Sequence, residues 1–188
     1  MADPLPVCDH YCGVEARMRK SLALQSEMAQ EWGTCVFDVT LDCEDGAPVG
    51  GESDHANMVV ALANQAQATI KKVAPRIAAR VHPVGHVCFE QDVEIIVGGA
   101  ASALCHVMIP KVESVADVDF AAERIDHWAA QSSRLNPLPL HVLIESPAAV
   151  FRALEIAAHP RVQSLSFGLM DFVSAHGGAI PASAMGFQ

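Results

Sequence analysis

Apolar residues in this chain gather into short runs, each closed by a polar or Gly/Pro break that leads into a stretch with helical spacing. The runs are Cys35 to Leu41, Ile77 to Val81, Leu104 to Ile109, Leu140 to Ile144 and Ser164 to Gly168. Their length and continuity are those of strands buried on both faces, as in parallel sheets. Between them Met58, Val59, Leu62, Ala66 and Ile70 recur at helical spacing, as do Val115, Val118, Ala122, Ile125 and Trp128, and each set defines one helix face. Ser114 with Asp117 forms a capping box, and Ser146 ahead of Pro147 places an N-cap before a proline suited to the first turn. A first strand near Leu5 to Cys8, then a helix with Val14, Met18, Leu22 and Met28 inward, completes the pattern. Strand then helix, about six times over, predicts an α/β fold of parallel strands with right-handed crossovers. The count fits the first six units of an eight-unit barrel or a complete six-stranded open sheet, and periodicity does not choose between them.

Composition narrows the class. Residues 1–188 are enough for one domain with a sizeable core, but short of the roughly 250 residues of a full (β/α)8 TIM barrel. With 51% hydrophobic and 18% charged residues, long disordered stretches are not expected. The net charge of -10 comes with no basic cluster able to track a phosphate backbone, which argues against nucleic acid as a partner. No apolar run approaches the roughly 18 residues of a membrane span, and Met-Ala-Asp-Pro at the start lacks the order of a signal peptide. Those features predict a cytoplasmic protein without a membrane partner.

The six cysteines are scattered, a pattern of reduced core thiols rather than a disulfide scaffold. Cys8, His10 and Cys12 offer zinc-type donors, but the second ligand pair of a finger is missing. Gly98-Gly99 and Gly177-Gly178 are too short for phosphate loops and read as turns. His127 and His159 read as surface groups, and His106 and His141, mid-strand, as core residues with hydrogen-bonded rings.

In parallel α/β folds the chemistry lies at the carboxyl ends of the strands. Here those ends carry Asp42, Glu44 and Asp45, then Arg80 and His82, then Lys111 and Glu113, then Glu145, then Asp171. Five strand ends thus direct acids, an arginine and a lysine at one mouth.

Five motifs in order now become recognisable: Leu41-Asp42-Cys43-Glu44-Asp45-Gly46-Ala47-Pro48, Arg80-Val81, Ile109-Pro110-Lys111-Val112-Glu113-Ser114, Ile144-Glu145-Ser146-Pro147 and Phe167-Gly168-Leu169-Met170-Asp171-Phe172. Together they resemble the citrate lyase β-subunit and malyl-CoA lyase type of the aldolase/citrate lyase family. Three departures mark a divergent subgroup. His82 stands where the family has asparagine, Cys43 replaces an aliphatic residue, and Cys8-Asp9-His10-Tyr11-Cys12-Gly13 replaces the usual first-strand sequence.

The resemblance implies a (β/α)8 TIM barrel truncated after about six βα units. It implies a Mg²⁺-dependent carbon–carbon lyase acting on an oxo acid and a CoA thioester such as malyl-CoA, citramalyl-CoA or citryl-CoA, in a homo-oligomer, trimer or hexamer. Glu145 and Asp171 would hold the metal, a hard cation suited to carboxylate oxygens. Arg80 would stabilise negative charge developing on the substrate, with Glu44 and Asp45 holding metal-bound water and orienting the arginine. Lys111 and His82 would contact substrate, although Lys111 with Glu113 fits a structural pair equally well, and Arg80 could instead neutralise Glu44 or Asp45. In relatives the proton-handling acid comes from a C-terminal segment, often of a neighbouring subunit. Residues 1–188 alone are therefore expected to bind metal and oxo acid but to turn over poorly. The rival readings are a pyruvate-type class II aldolase of the same superfamily and a non-catalytic truncated barrel or complex subunit.

Overall fold

Six parallel strands lie side by side in chain order: β1 (Asp9–Cys12), β2 (Asp38–Asp42), β3 (Ile77–Arg80), β4 (Leu104–Ile109), β5 (Leu140–Ile144) and β6 (Val162–Phe167). The computed structural model describes residues 5–6, 8–69, 73–132, 134, 136–181 and 183. Helices α1 (Glu15–Trp32), α2 (Glu52–Ala68), α5 (Val115–Gln131) and α6 (Pro147–Ala157) connect successive strands. Between β3 and β4 the connection is one helical stretch: α3 (Phe89–Asp92), a π-helical segment Val93–Val97 and α4 (Gly98–Ala100). α7 (Leu169–Ala175) follows β6.

Strand order decides between the two topologies that periodicity leaves open. A doubly wound sheet reverses direction at a switch point, whereas same-handed crossovers between neighbours in strict chain order put every helix on one face. The order β1-β2-β3-β4-β5-β6 has no reversal, so the sheet curls as a half-barrel with an outer helical layer. Six units are present among the described residues, not the eight of a closed barrel.

The two faces of the sheet differ in chemistry. Val39, Leu41, Ile77, Val107, Leu140 and Val142 point outward and pack with the helices in one core cluster. Inward, the strands carry Asp9, Thr40, Arg80, His106 and His141, linked by side-chain hydrogen bonds and ion pairs. That alternation accounts for a misplaced first strand. The sequence favours the apolar segment Leu5 to Cys8, yet the ladder forms at Asp9–Cys12, because an inner face built from Asp9 gives no apolar signal. Val7, inside the expected strand, and Ile70, expected at the end of α2, lie outside the described residues.

Other expectations shift for identifiable reasons. In α1 the buried residues are Met18, Ser21, Gln25 and Ala29, while Val14 is exposed and Leu22 and Met28 are half-buried. Gln25 displaces the expected apolar face because its amide donates to the carbonyls of Phe37 (2.8 Å) and Arg76 (2.9 Å), tying α1 beneath β2 and β3. Cys35 to Phe37 lead into β2 rather than joining it. β6 is half-exposed instead of buried, since among the described residues it pairs only with β5.

Gly98-Gly99 is helical, not a turn. A Cβ on Gly99 would sit 2.9 Å from Val60 Cγ1, so the glycine permits α2 to approach, and Asn64 Nδ2 donates to its carbonyl at 2.9 Å. Gly177 does take a left-handed turn conformation, φ 67°. Of the free cysteines only Cys43 is buried; Cys8 is exposed and the rest are half-buried, so the expected set of core thiols reduces to one.

Both helix starts read from the sequence are present. Asp117 accepts from the Ser114 N–H at 2.9 Å, and the Ser146 hydroxyl accepts from the Ala149 N–H at 3.1 Å with Pro147 in the first turn. The face of α5 is buried at Val118, Ala121, Ala122, Ile125 and Ala129. Ile125 is fully enclosed while Phe151 on α6 is 91% exposed, which sets up a contrast. Ile125→Ala should lower unfolding free energy by about 2–5 kcal/mol through loss of burial and the cavity left behind. Phe151→Ala should change it by less than about 0.5 kcal/mol, with both read from urea midpoints.

Candidate metal centre at the carboxyl ends of the strands

Asp42 and Arg80 are the last residues of adjacent strands and are direct partners in the β2/β3 register. Their side chains meet as a fork, Arg80 Nε on Asp42 Oδ1 and Nη2 on Oδ2, both at 2.7 Å. The β2–α2 turn then brings two more acids to the same guanidinium: Glu44 Oε2 lies 2.8 Å from Nη1 and Asp45 Oδ2 2.8 Å from Nη2. The Tyr11 ring, 5.1 Å from the guanidinium carbon, stacks against it as a cation–π partner. Burial opposes the charge on Arg80, but Asp42, Glu44 and Asp45 hold its pKa above the ordinary arginine value. Nε and both Nη2 donors are taken by Asp42 and Asp45, while Nη1 is held as an ion pair with Glu44.

The chain of contacts continues from Glu44. Its Oε1 accepts from Lys111 Nζ at 2.7 Å, and the Lys111 backbone N–H donates to Glu145 Oε2 at 2.8 Å. Lys111 adopts φ 52°, a left-handed conformation that costs a non-glycine residue of order 1–3 kcal/mol and typically marks functional sites. The structure thus gives Lys111 a partner in Glu44, not in Glu113, whose own N–H bonds Asp117. Partial burial works against the Lys111 charge, yet Glu44 raises its pKa.

Glu145 follows β5 directly and is buried. Burial raises its pKa; the Lys111 N–H acts the other way, and the charges of Glu44 and Asp171 add to the rise. Asp171 sits in the first turn of α7 rather than at a strand end, is exposed and makes no hydrogen bond among the described residues. Among the described residues, Asp42, Glu44 and Asp45 have Arg80 as their cation, and Glu44, Glu145 and Asp171 have Lys111. An excess of carboxylates over cations, with one acid buried and pushed toward its neutral form, is the electrostatic signature of a place for a hard divalent cation, and these oxygen donors fit Mg²⁺.

His82 stands somewhat apart. It is buried, its N–H and Nδ1 lie 2.8 and 2.6 Å from Asp92 Oδ2, and its ring stacks on His86 at 4.4 Å. The contacts of the mouth thus join Arg80, Glu44, Asp45, Lys111 and Glu145, with Asp171 close enough to act electrostatically and His82 bonded elsewhere. Sequence reasoning overlooked Asp42 as the principal anchor of Arg80, together with Tyr11, Asp92 and His55, whose Nε2 lies 2.9 Å from the Asp42 carbonyl. Asp42 meets Arg80 through strand register, which no local signal encodes, and nothing local marks Asp92 or His55.

Gly168 packs against this centre. A Cβ there would overlap the Glu145 carboxylate, although the backbone, φ -88°, would accept alanine. Gly168→Ala should push Glu145 aside and weaken Mg²⁺ binding about 10- to 100-fold, as loss of ligand support does, with far-UV circular dichroism unchanged. Isothermal titration with Mg²⁺ measures it.

Comparison with known proteins places the chain. Residues 21–182 match the family model described as HpcH/HpaI aldolase/citrate lyase. An L-malyl-CoA/beta-methylmalyl-CoA lyase of Cereibacter sphaeroides is 33% identical over 141 residues, covering 74% of this chain and 43% of that protein. A citrate lyase subunit beta-like protein of Deinococcus radiodurans is 30% identical over 142 residues, covering 74% and 46%. The chain thus spans a little under half the length of these curated relatives. Among solved structures, a citrate lyase from Burkholderia xenovorans superposes with TM-score 0.82 at 41% identity, over 97% of this chain and 54% of that one. The citrate lyase beta subunit of M. tuberculosis, complexed with oxaloacetate and magnesium, shares the fold at TM-score 0.64 and 22% identity, over 96% and 66%. With a family model matched along most of its length and its motifs assembled at one end of the sheet, the chain belongs to the HpcH/HpaI aldolase/citrate lyase family.

Proposed function

We propose that this chain carries the metal- and substrate-binding part of a Mg²⁺-dependent carbon–carbon lyase, on the first six units of a (β/α)8 barrel. Its substrates are a β-hydroxyacyl-CoA thioester such as malyl-CoA, citramalyl-CoA or citryl-CoA, cleaved to or formed from an oxo acid. The observation that carries this reading is Glu145: a buried carboxylate one residue past β5, with a raised pKa and Glu44 and Asp171 in electrostatic reach. Support also comes from relatives named as malyl-CoA lyases and from the magnesium and oxaloacetate of the M. tuberculosis complex.

In this reading Glu145 and Asp171 hold the ion. Bound there, Mg²⁺ supplies Lewis-acid polarisation of the oxo acid oxygens and a template for their orientation. Arg80, immobilised by Asp42, Glu44 and Asp45, presents its Nη1 to the oxyanion of the reacting carbonyl, so no reorganisation is needed as charge develops. Lys111 positions Glu145 through its N–H and screens Glu44, and His82 borders the substrate space with its Nδ1 side fixed on Asp92. Assays of CoA thioester cleavage and of pyruvate aldol cleavage separate this activity from that of a class II aldolase.

Two outcomes check the roles. Glu145→Ala and Asp171→Ala should each abolish Mg²⁺-dependent binding of oxaloacetate or glyoxylate in calorimetry, because a two-carboxylate site loses half of its protein ligands. A double variant that binds as well as the parent overturns the assignment. Arg80→Lys keeps a charge but loses the fork on Asp42 and should lower kcat for thioester cleavage by about 10²-fold or more. A preserved kcat with a raised KM would make Arg80 a substrate anchor instead.

A further inference from the structure

Beneath the mouth lies a second polar cluster that the proposed lyase chemistry does not use. Asp9 of β1, His106 of β4 and His141 of β5 converge on the inner face, their ligand-capable atoms all within 4.8 Å of one another. His141 precedes Glu145 by four residues, about 13 Å along the strand, so the cluster is separate from the carboxylate centre. Asp9 Oδ2 lies 3.7 Å from His106 Nε2 and 4.0 Å from His141 Nδ1. Both separations are too long for hydrogen bonds. His106 is only 2% exposed, and its Nε2 has no hydrogen-bond partner among the described residues, an unusual state for a buried ring nitrogen.

The surrounding groups hold the three donors as a ligand set is held. His106 Nδ1, on the far side of its ring, is 3.3 Å from Cys105 Sγ; burial lowers the His106 pKa but Asp9 and Cys105 raise it to about 9, so a cation binding at Nε2 would displace a proton. His141 Nε2 is 2.7 Å from Ser166 Oγ, and Nδ1, the nitrogen that faces Asp9, is 3.0 Å from Ser164 Oγ. Thr40 Oγ1 bonds both oxygens of Asp9, at 2.9 and 3.0 Å, and fixes the carboxylate. Outer partners of this kind orient metal-ligating imidazoles and carboxylates.

We infer that Asp9, His106 and His141 form a site for a borderline divalent cation of the Zn²⁺ class. Two imidazoles and one carboxylate suit such an ion and not Mg²⁺, whose preference is for oxygen. Donors on a tetrahedral Zn²⁺ stand about 3.3 Å apart, so from 3.7 and 4.0 Å the Asp9 oxygen need approach the two imidazoles by well under about 1 Å, while the imidazole nitrogens, within 4.8 Å of each other, close by at most about 1.5 Å. Water would take the fourth position. The ion would tie β1, which among the described residues pairs only with β2, across the inner face to β4 and β5.

The test uses the 188-residue protein, stripped with chelator and titrated with Zn²⁺ and Co²⁺. With Mg²⁺ in excess to occupy the carboxylate centre, one equivalent should bind, Co²⁺ should give the visible bands of nitrogen ligation, and Tm should rise with Zn²⁺. His106→Gln and His141→Gln should each weaken binding by at least about 100-fold. Glu145→Ala should leave the Co²⁺ spectrum unchanged, which keeps this site distinguishable from the carboxylate centre. Should the histidine variants not fold, Asp9→Asn, which keeps the shape and a Thr40 contact, must still weaken binding. Absence of stoichiometric Zn²⁺ binding overturns the inference, as does a Co²⁺ spectrum of oxygen ligation alone or one unaffected in His106→Gln.

Discussion

A guanidinium that is only 5% exposed has to be neutralised where it sits, and in this protein that requirement organises the mouth of the sheet. Arg80 meets Asp42 as its register partner on the next strand, so the fork forms from two neighbouring backbones with no loop search. Glu44 and Asp45 complete the neutralisation from the turn that follows. Glu44 in turn engages Lys111, and Lys111 engages Glu145. One buried cation thus fixes, through short charged contacts, groups from three other stretches of chain. Removing Asp42, the enclosed partner, strands Arg80 as a buried, poorly compensated charge, at a cost of about 3–5 kcal/mol, whereas the exposed Asp45 contributes little.

The parallel, sequential sheet is what allows this. Every strand delivers its last residue to the same end, and every crossover returns outside, so the outer face is free to be uniformly apolar while the inner face carries ionisable groups. Those groups form two levels. The upper one is rich in oxygen donors and net acidic; the lower one combines imidazoles, hydroxyls and the Asp9 carboxylate. Separation along the strands keeps the two chemistries apart, with carboxylate oxygens at the mouth and imidazole nitrogens below it.

Lys111 shows how local strain serves the arrangement. Its left-handed backbone turns the N–H toward Glu145 while the side chain spans to Glu44, two tasks that an extended residue after β4 would not perform together. Gly168 plays the complementary part from β6 by leaving room for the same carboxylate. Glu145 is therefore held by one hydrogen bond and one vacant space, and its remaining oxygen stays available.

From the sequence alone came the alternation of strand and helix, the starts of α5 and α6, the bounds of β4 and β5, and the acids, arginine and lysine gathered at one end. These are local matters: a strand buried on its outer face and a capped helix leave their period and their end residues in the chain itself. The tertiary structure decided what depends on neighbours distant in sequence. Asp9 shows no apolar signal, so the first strand was misplaced; Gln25 faces inward only because two carbonyls wait beneath it; Gly99 is helical because α2 approaches there. The partnership of Arg80 with Asp42 rather than with Glu44 and Asp45 alone follows from strand register. The convergence of Asp9, His106 and His141 follows from curvature, which brings residues from three strands to one point that no spacing along the chain encodes.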